Sequence, residues 1–267
     1  MLRRHRQGPP RPAAPRALRP VTGARLRHDG PVQPLEPPGP VAGREQDAVL
    51  ALRALVGAWS SLAAYTDGAG LSLDPAVIAL RHTDSAFNAA LVVEPDLDAV
   101  GRAAAWFGDR EWHAWSSSHD TSVMLAALGH HPVAARIAMT APASEHPRGA
   151  GFRDAVAGEV LELVGVPRES LAAGSGLVAV LTDDAGSGAL LFAGDAAAGV
   201  PLLALRHDAV DRRHEVLAEV RRLAGARGLR SVTCFAEPDD EALCRDAGFE
   251  AVARWTVTVA PSAPVTP

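Results

Sequence analysis

The sequence predicts a mixed α/β chain made of two similar halves, on three observations. From Gly199 to Val259 it reads as strand, long helix, strand, short helix, strand. From Ala86 to Thr140 the same alternation recurs. Between the two, Ala141 to Gly151 (APASEHPRGAG) has the Pro, Gly and polar composition of a linker, which sets the division near residue 145.

The later unit is the more regular. Pro201 to Arg206 is an apolar run of strand length. Val216, Leu217, Val220, Leu223 and Ala224 then recur as on the buried face of a helix, with Arg212, Glu215, Glu219 and Arg222 opposite. Asp208 followed by Asp211 reads as the cap of that helix, and Gly225 and Gly228 end it. Arg230 to Ala236 alternates as a strand, Pro238 opens a second helix at its first turn, and Gly248 closes it. A parallel return through a helix is right-handed, so a ligand is expected at the carboxyl end of the first strand, facing the long helix's N-terminus.

Upstream, Glu45 to Tyr65 predicts an amphipathic helix with Val49, Leu52, Leu55, Val56, Trp59 and Leu62 on one side. Strands follow at Val77 to His82 and Ala86 to Val93, a helix capped by Asp96 at Leu97 to Phe107, a strand at Trp112 to Ser117, a helix at His119 to Leu128 and a strand at Pro132 to Thr140. Past the linker, Phe152 to Val164 predicts an amphipathic helix and Glu169 to Ala173 a short helical turn. Strands at Leu177 to Leu181 and Ala189 to Phe192 are joined through DDAGSG, a hairpin turn. The expected organisation is a disordered basic tail at 1 to 44, halves at 45 to 144 and 145 to 260, and a flexible end at 261 to 267.

Bulk properties narrow the function. At 267 residues and 48% apolar the chain can bury a substantial core. Residues 1 to 45 hold nine Arg against Asp29, Glu36 and Glu45, a net +6, so the chain's −5 leaves −11 for residues 46 to 267. An acidic body argues against nucleic-acid binding. Cys234 and Cys244 lie in regular elements, without disulfide or metal-ligand spacing, which predicts reduced thiols in a cytoplasmic protein. No apolar run approaches the roughly 18 to 20 residues of a membrane span. His119, His130, His131 and His146 lack carboxylate or thiol partners at ligand spacing, so no metal is expected, and His130 and His131 read as a solvated helix end.

The strand order with its hairpin, the long helix, and the closing run ALCRDAGFEAVARWTVTV resemble the GNAT N-acetyltransferase superfamily. The segments FNAALVV, WHAWSS and MLAALGHHPVAARIAMT resemble the N-terminal half of its tandem members, so the resemblance covers about 45 to 260. It implies two halves, each a mostly antiparallel sheet with flanking helices. It also implies acyl transfer from acetyl-CoA or another acyl-CoA as co-substrate, with Leu205, Arg206, Arg212, Arg213 and His214 around the donor.

Two departures stand out. The family's glycine-bearing pyrophosphate loop reads HDAVDRRHEVLAEV here, without a glycine, so the Arg212 and Arg213 guanidinium groups would have to replace backbone amides. The Tyr that protonates the departing thiolate is replaced by Cys244, and the best-placed base is His207, whose imidazole titrates near neutrality. The expected function is an acyl-CoA-dependent N-acyltransferase for a small amine, with no nucleic-acid or membrane partner and a homodimer left open. The alternative is a catalytically silent relative serving as a binding or dimerisation module.

Overall fold

The computed structural model describes residues 19–20, 37–65, 69–73, 76–81, 88–163, 177–184, 186–194, 197–205 and 212–260. The first half comprises α1 (Glu45–Tyr65), β3 (Ala69–Leu73), β4 (Val77–Arg81), β5 (Ala89–Val92), α2 (Leu97–Phe107), β6 (His113–Ser116), α3 (His119–Ala127) and β7 (His131–Pro142). The second comprises β8 (Phe152–Ala155), α4 (Ala157–Glu162), β9 (Leu177–Thr182), β10 (Ser187–Ala193), β11 (Ala197–Leu205), α5 (Arg213–Ala226) and β12 (Ser231–Ala236). It ends with a 3₁₀ turn (Pro238–Asp240), α6 (Glu241–Asp246) and β13 (Glu250–Val259). Two short segments, β1 (Arg19–Pro20) and β2 (Gly39–Pro40), pair with β11 and β13.

All these strands form one sheet in the order β3-β4-β5-β6-β13-β7-β12-β11-β10-β9-β8. The division near residue 145 falls in the irregular stretch 143–149, yet the sheet runs across it because the halves exchange strands. β13 pairs antiparallel with β6 and with β7, so the last strand of the chain lies between two strands of the first half. β7 in turn lies between β12 and β13 of the second half. The two crossover units are otherwise alike, since β5 runs parallel to β6 and β11 parallel to β12.

Helices cover both faces. Val180, Leu191, Val200, Val232, Cys234, Ile137 and Met139 pack with Val216, Leu217 and Val220 of α5 and Cys244 of α6. Ala90, Val92 and Ala114 meet α2 through Ala99, Val100 and Ala103. The alternate residues point the other way, and Leu91, Trp115, Ala138, Phe235, Trp255 and Val257 pack with Ala51, Leu55 and Trp59 of α1. Leu62 of α1 shares a smaller cluster with Val160 and Leu161 of α4.

Three sequence expectations are corrected. The buried face of α1 is Ala51, Ala54, Leu55, Ala58, Trp59 and Leu62, while Val49 is exposed. The alanines face the sheet because α1 sits close on β11: a Cβ on Gly199 would overlap the Ala54 carbonyl and lie 2.8 Å from the Ala58 Cβ. Phe152–Ala155 is a strand rather than the start of a helix. It pairs with β9 from Phe152 opposite Thr182 to Ala155 opposite Ala179, and α4 begins only after Val156, whose N–H donates to Glu159 Oε2 at 3.0 Å. Order begins before Glu45, since the Val41 N–H donates to the Val252 carbonyl at 2.9 Å and Arg44 pairs with Asp47 and Glu250. In the sheet, β12 and β13 are separated by β7. The helical turn expected at Glu169 to Ala173, the ends 1 to 18 and 261 to 267, and the cap at Asp208 and Asp211 lie outside the described residues.

Two outcomes follow from this packing. Gly199→Ala drives a methyl into the Ala54 backbone and is expected to cost about 1–3 kcal/mol in chemical denaturation. Gly101→Ala, on α2 with nothing near its Cβ, is expected to be neutral or stabilising. Second, a fragment of residues 37–145 leaves β7 without both neighbours. It is expected to lack a cooperative thermal transition until mixed with residues 146–267, and independent folding of the fragment would contradict the exchanged-strand account.

Candidate functional site

The parallel pairing of β11 with β12 covers only Ala197–Gly199 opposite Ser231–Thr233. β11 continues to Leu205 along β10, and β12 continues to Ala236 along β7. Each strand therefore follows its antiparallel neighbour, and a wedge-shaped gap opens beyond Gly199 and Thr233. The first half has no such gap, because β5 pairs with β6 along its whole length, from Ala89 opposite His113 to Val92 opposite Ser116. Its crossover helix is also closed to anions: Asp96 caps α2, accepting the Ala99 N–H at 2.9 Å.

The gap has two chemically different faces. On the α1 side Phe235 meets Trp59, Trp115 and Trp255 with ring centroids 6.1, 4.9 and 5.7 Å away. Arg136 rims this cluster, buried, with Nη2 3.0 Å from Glu237 Oε1 and its guanidinium 5.9 Å from the Trp115 ring. On the other side lie Cys234, Cys244 and the first turn of α5.

The structure brings together some of the predicted residues. Cys244 is 3% exposed and Cys234 4%, both are free thiols, and they lie in the same core cluster. Cys234, donating to its neighbour and fully enclosed, has its pKa pushed well above the usual thiol value; Cys244 is lowered, first by that hydrogen bond and then by Arg213 against the opposing effect of burial. Arg213 is buried and paired with Asp240, and its Nε has no hydrogen-bond partner among the described residues. Arg212 pairs with Glu215 at 3.0 Å, stands 3.9 Å from Asp184 and lies over the Phe152 ring at 5.7 Å. His214 points away, its Nε2 3.3 Å from the Asp246 carbonyl, and is exposed. The Leu205 backbone ends β11, and Arg206 and His207 lie outside the described residues.

Two participants escaped the sequence reading. Cys234 faces Cys244 because Val232, Cys234 and Ala236 share one face of β12, a parity visible in RSVTCFA. Asp240 lies at a helix start, where a carboxylate offsets the helix dipole, and its role as the partner of Arg213 depends on how α5 and α6 pack, which no local pattern encodes.

The fold is shared with known structures. A GCN5-related N-acetyltransferase from Kribbella flavida superposes with a TM-score of 0.51 at 17% identity, over 84% of this chain and 97% of its own. This chain has the GNAT fold. A tandem GNAT protein from the clavulanic acid biosynthesis pathway (TM-score 0.46, 15% identity, 85% of this chain and 99% of its own) is also similar. So is a GCN5-related N-acetyltransferase from Sphaerobacter thermophilus (0.43, 15%, 72% and 84%). No family model matches the chain, and no curated protein matches it. No helix among the described residues is long and apolar enough to cross a membrane, and no group of three or more His, Cys, Asp or Glu there could hold a metal.

His130 departs from its reading as a solvated helix end. It is buried at 7% exposure, edge-on to Trp112 at 5.2 Å, with Nδ1 3.3 Å from Thr258 Oγ1, whereas His131 is exposed. Burial lowers its pKa, so the folded state favours neutral imidazole. The unfolded chain then binds the extra proton first, near pH 6.5, and stability falls as pH drops through and below that value. His130→Asn is expected to be less stable than wild type at pH 7 yet to lose less on acidification to pH 5, read from denaturation midpoints. Parallel losses would exclude His130 as the titrating group.

Proposed function

We propose that this GNAT-fold chain is an acyl-CoA-dependent N-acyltransferase acting on a small amine in the cytoplasm, with its donor site in the second half. The gap between β11 and β12 in front of α5 carries the reading. It exposes strand backbone beside a helix N-terminus, as a thioester with an anionic diphosphate requires. The buried Nε of Arg213, which has no hydrogen-bond partner among the described residues, supports the fit of a diphosphate. The first half, with paired strands and a capped helix, would bind no donor.

In this scheme Arg212 and Arg213, beside His214, hold the diphosphate. The exposed pair of Arg212 with Glu215 is worth about 0–1 kcal/mol and is readily exchanged for phosphate. Backbone groups of β11 up to Leu205, with Arg206 beyond, bind and polarise the thioester carbonyl while the amine attacks it directly. His207 takes the proton of the attacking amine. Cys244 returns a proton to the departing thiolate, and its lowered pKa makes that transfer favourable, because an ordinary alkyl thiol holds its proton more tightly. Cys234 positions the Cys244 sulfur.

A second reading, a silent binding or dimerisation module, is favoured by the acidic partners already engaging both arginines, Asp240 above all. Calorimetric titration with acetyl-CoA separates the two. Micromolar binding is expected, weakened by roughly tenfold or more in the Arg212→Ala, Arg213→Ala double variant, a loss of about 1.4 kcal/mol or more. His207→Ala should lower turnover with affinity unchanged. Absence of binding at millimolar acetyl-CoA would refute the enzyme.

A further inference from the structure

Beyond Gly199 the edge of β11 that faces β12 carries no described strand until Ala204, where β1 lies against it. Pro20 stands opposite Ala204 and Arg19 opposite Leu205, antiparallel. β10 holds the other edge of the same two residues, with Gly188 opposite Ala204 and Ser187 opposite Leu205. A strand has two edges, so β1 is on the β12 side, inside the gap.

The tether permits this. After β1 the chain returns to the body at β2, where Gly39 and Pro40 pair with Arg254 and Ala253 of β13. The roughly 18 residues between can span up to about 60 Å. The three strand spacings from β13 to β11 amount to about 15 Å. Charge favours it as well: residues 1–36 carry eight Arg against Asp29 and Glu36, while residues 37–267 are at −11.

We propose that the N-terminal arm is an intramolecular occupant of the gap, adding a strand to the free edge of β11 that has to leave before a ligand can lie along it. Pairing of this kind is sequence-tolerant because the backbone supplies the hydrogen bonds, and tethering replaces intrinsic affinity with a high local concentration. The arm therefore lowers the apparent affinity of any competing ligand in proportion to the time it is docked. Attraction between a basic arm and an acidic body makes the effect weaken with salt. The proposal rests on the acyl-donor reading only for the identity of the excluded ligand.

The test compares the full chain with one beginning at Pro37. The shortened chain keeps the Val41 and Arg44 contacts, and the four core clusters use no residue before Ala48. Two probes are titrated calorimetrically: acetyl-CoA, and a synthetic peptide of residues 13–26. If the arm is docked nine-tenths of the time, the shortened chain binds acetyl-CoA about tenfold more tightly. The peptide should bind the shortened chain and not the full chain, reverse the gain when added, and lose its effect at about 0.5 M salt. Equal acetyl-CoA affinities in the two forms would overturn the proposal. If acetyl-CoA binds neither form, the acyl-donor reading fails and the peptide still decides: binding to the shortened chain alone supports the arm, and binding to neither or to both alike overturns it.

Discussion

The structure depends on the reciprocal insertion of β7 and β13. Each is the last strand of its half, and each is hydrogen-bonded on both edges within the other half's pairing scheme. The gap follows from this. β12 is held by β7 along its full length, Ser231 to Ala236, and β11 is held by β10. Antiparallel pairing is somewhat more stable per residue than parallel, so the parallel contact between β11 and β12 yields where the two demands conflict, and it survives over three residue pairs. The exchange that fuses the halves thus holds the cleft open.

The opposite face of the gap is set by α1. Gly199 is the last residue of β11 paired with β12, and it is also where α1 sits closest, against Ala54 and Ala58. One side chain there would lift α1 and unseat the Trp59, Trp115, Phe235 and Trp255 cluster behind the gap. Rigidity on that side contrasts with the thiol and guanidinium groups on the other, whose ion pairs can exchange. The two halves diverge by the same logic, since in the first β5 and β6 are fully paired and Asp96 caps the helix.

Much of this was legible in the residues, and the failures have physical causes. α1 and α2 fall on the predicted bounds because periodicity and the Asp96 cap are local signals. The two-half organisation was likewise readable from the repeated alternation. Phe152–Ala155 was read as helix because four residues carry little periodic information and its partner β9 lies across an intervening segment. The exchange of β7 and β13 was invisible, as no pattern in a strand names its neighbour. The predicted face of α1 holds for Leu52, Leu55, Val56, Trp59 and Leu62, but it includes the exposed Val49 and leaves out the small residues Ala51, Ala54 and Ala58 that allow close approach. At the candidate site, the resemblance points to Arg212, Arg213 and Cys244, while the neighbours Cys234 and Asp240 come from the fold.

The helix start that lacks glycine takes on a different meaning in this setting. A backbone cradle binds phosphate with donors that are fixed and free, so its occupancy depends on the ligand alone. A guanidinium held by a carboxylate depends on a contest between two anions. In such a contest Arg213 would start half-satisfied: Asp240 takes one end, and the buried Nε has no acceptor among the described residues. Leaving a buried charged donor unpaired costs on the order of 1–3 kcal/mol, and a ligand able to satisfy it recovers that amount beyond what Asp240 alone provides. Arg213 also contributes, after the Cys234 hydrogen bond, to holding Cys244 below the usual thiol value, so the diphosphate and the proton donor would share one side chain. Binding and proton donation would then be coupled through one side chain, a linkage that a glycine loop cannot supply.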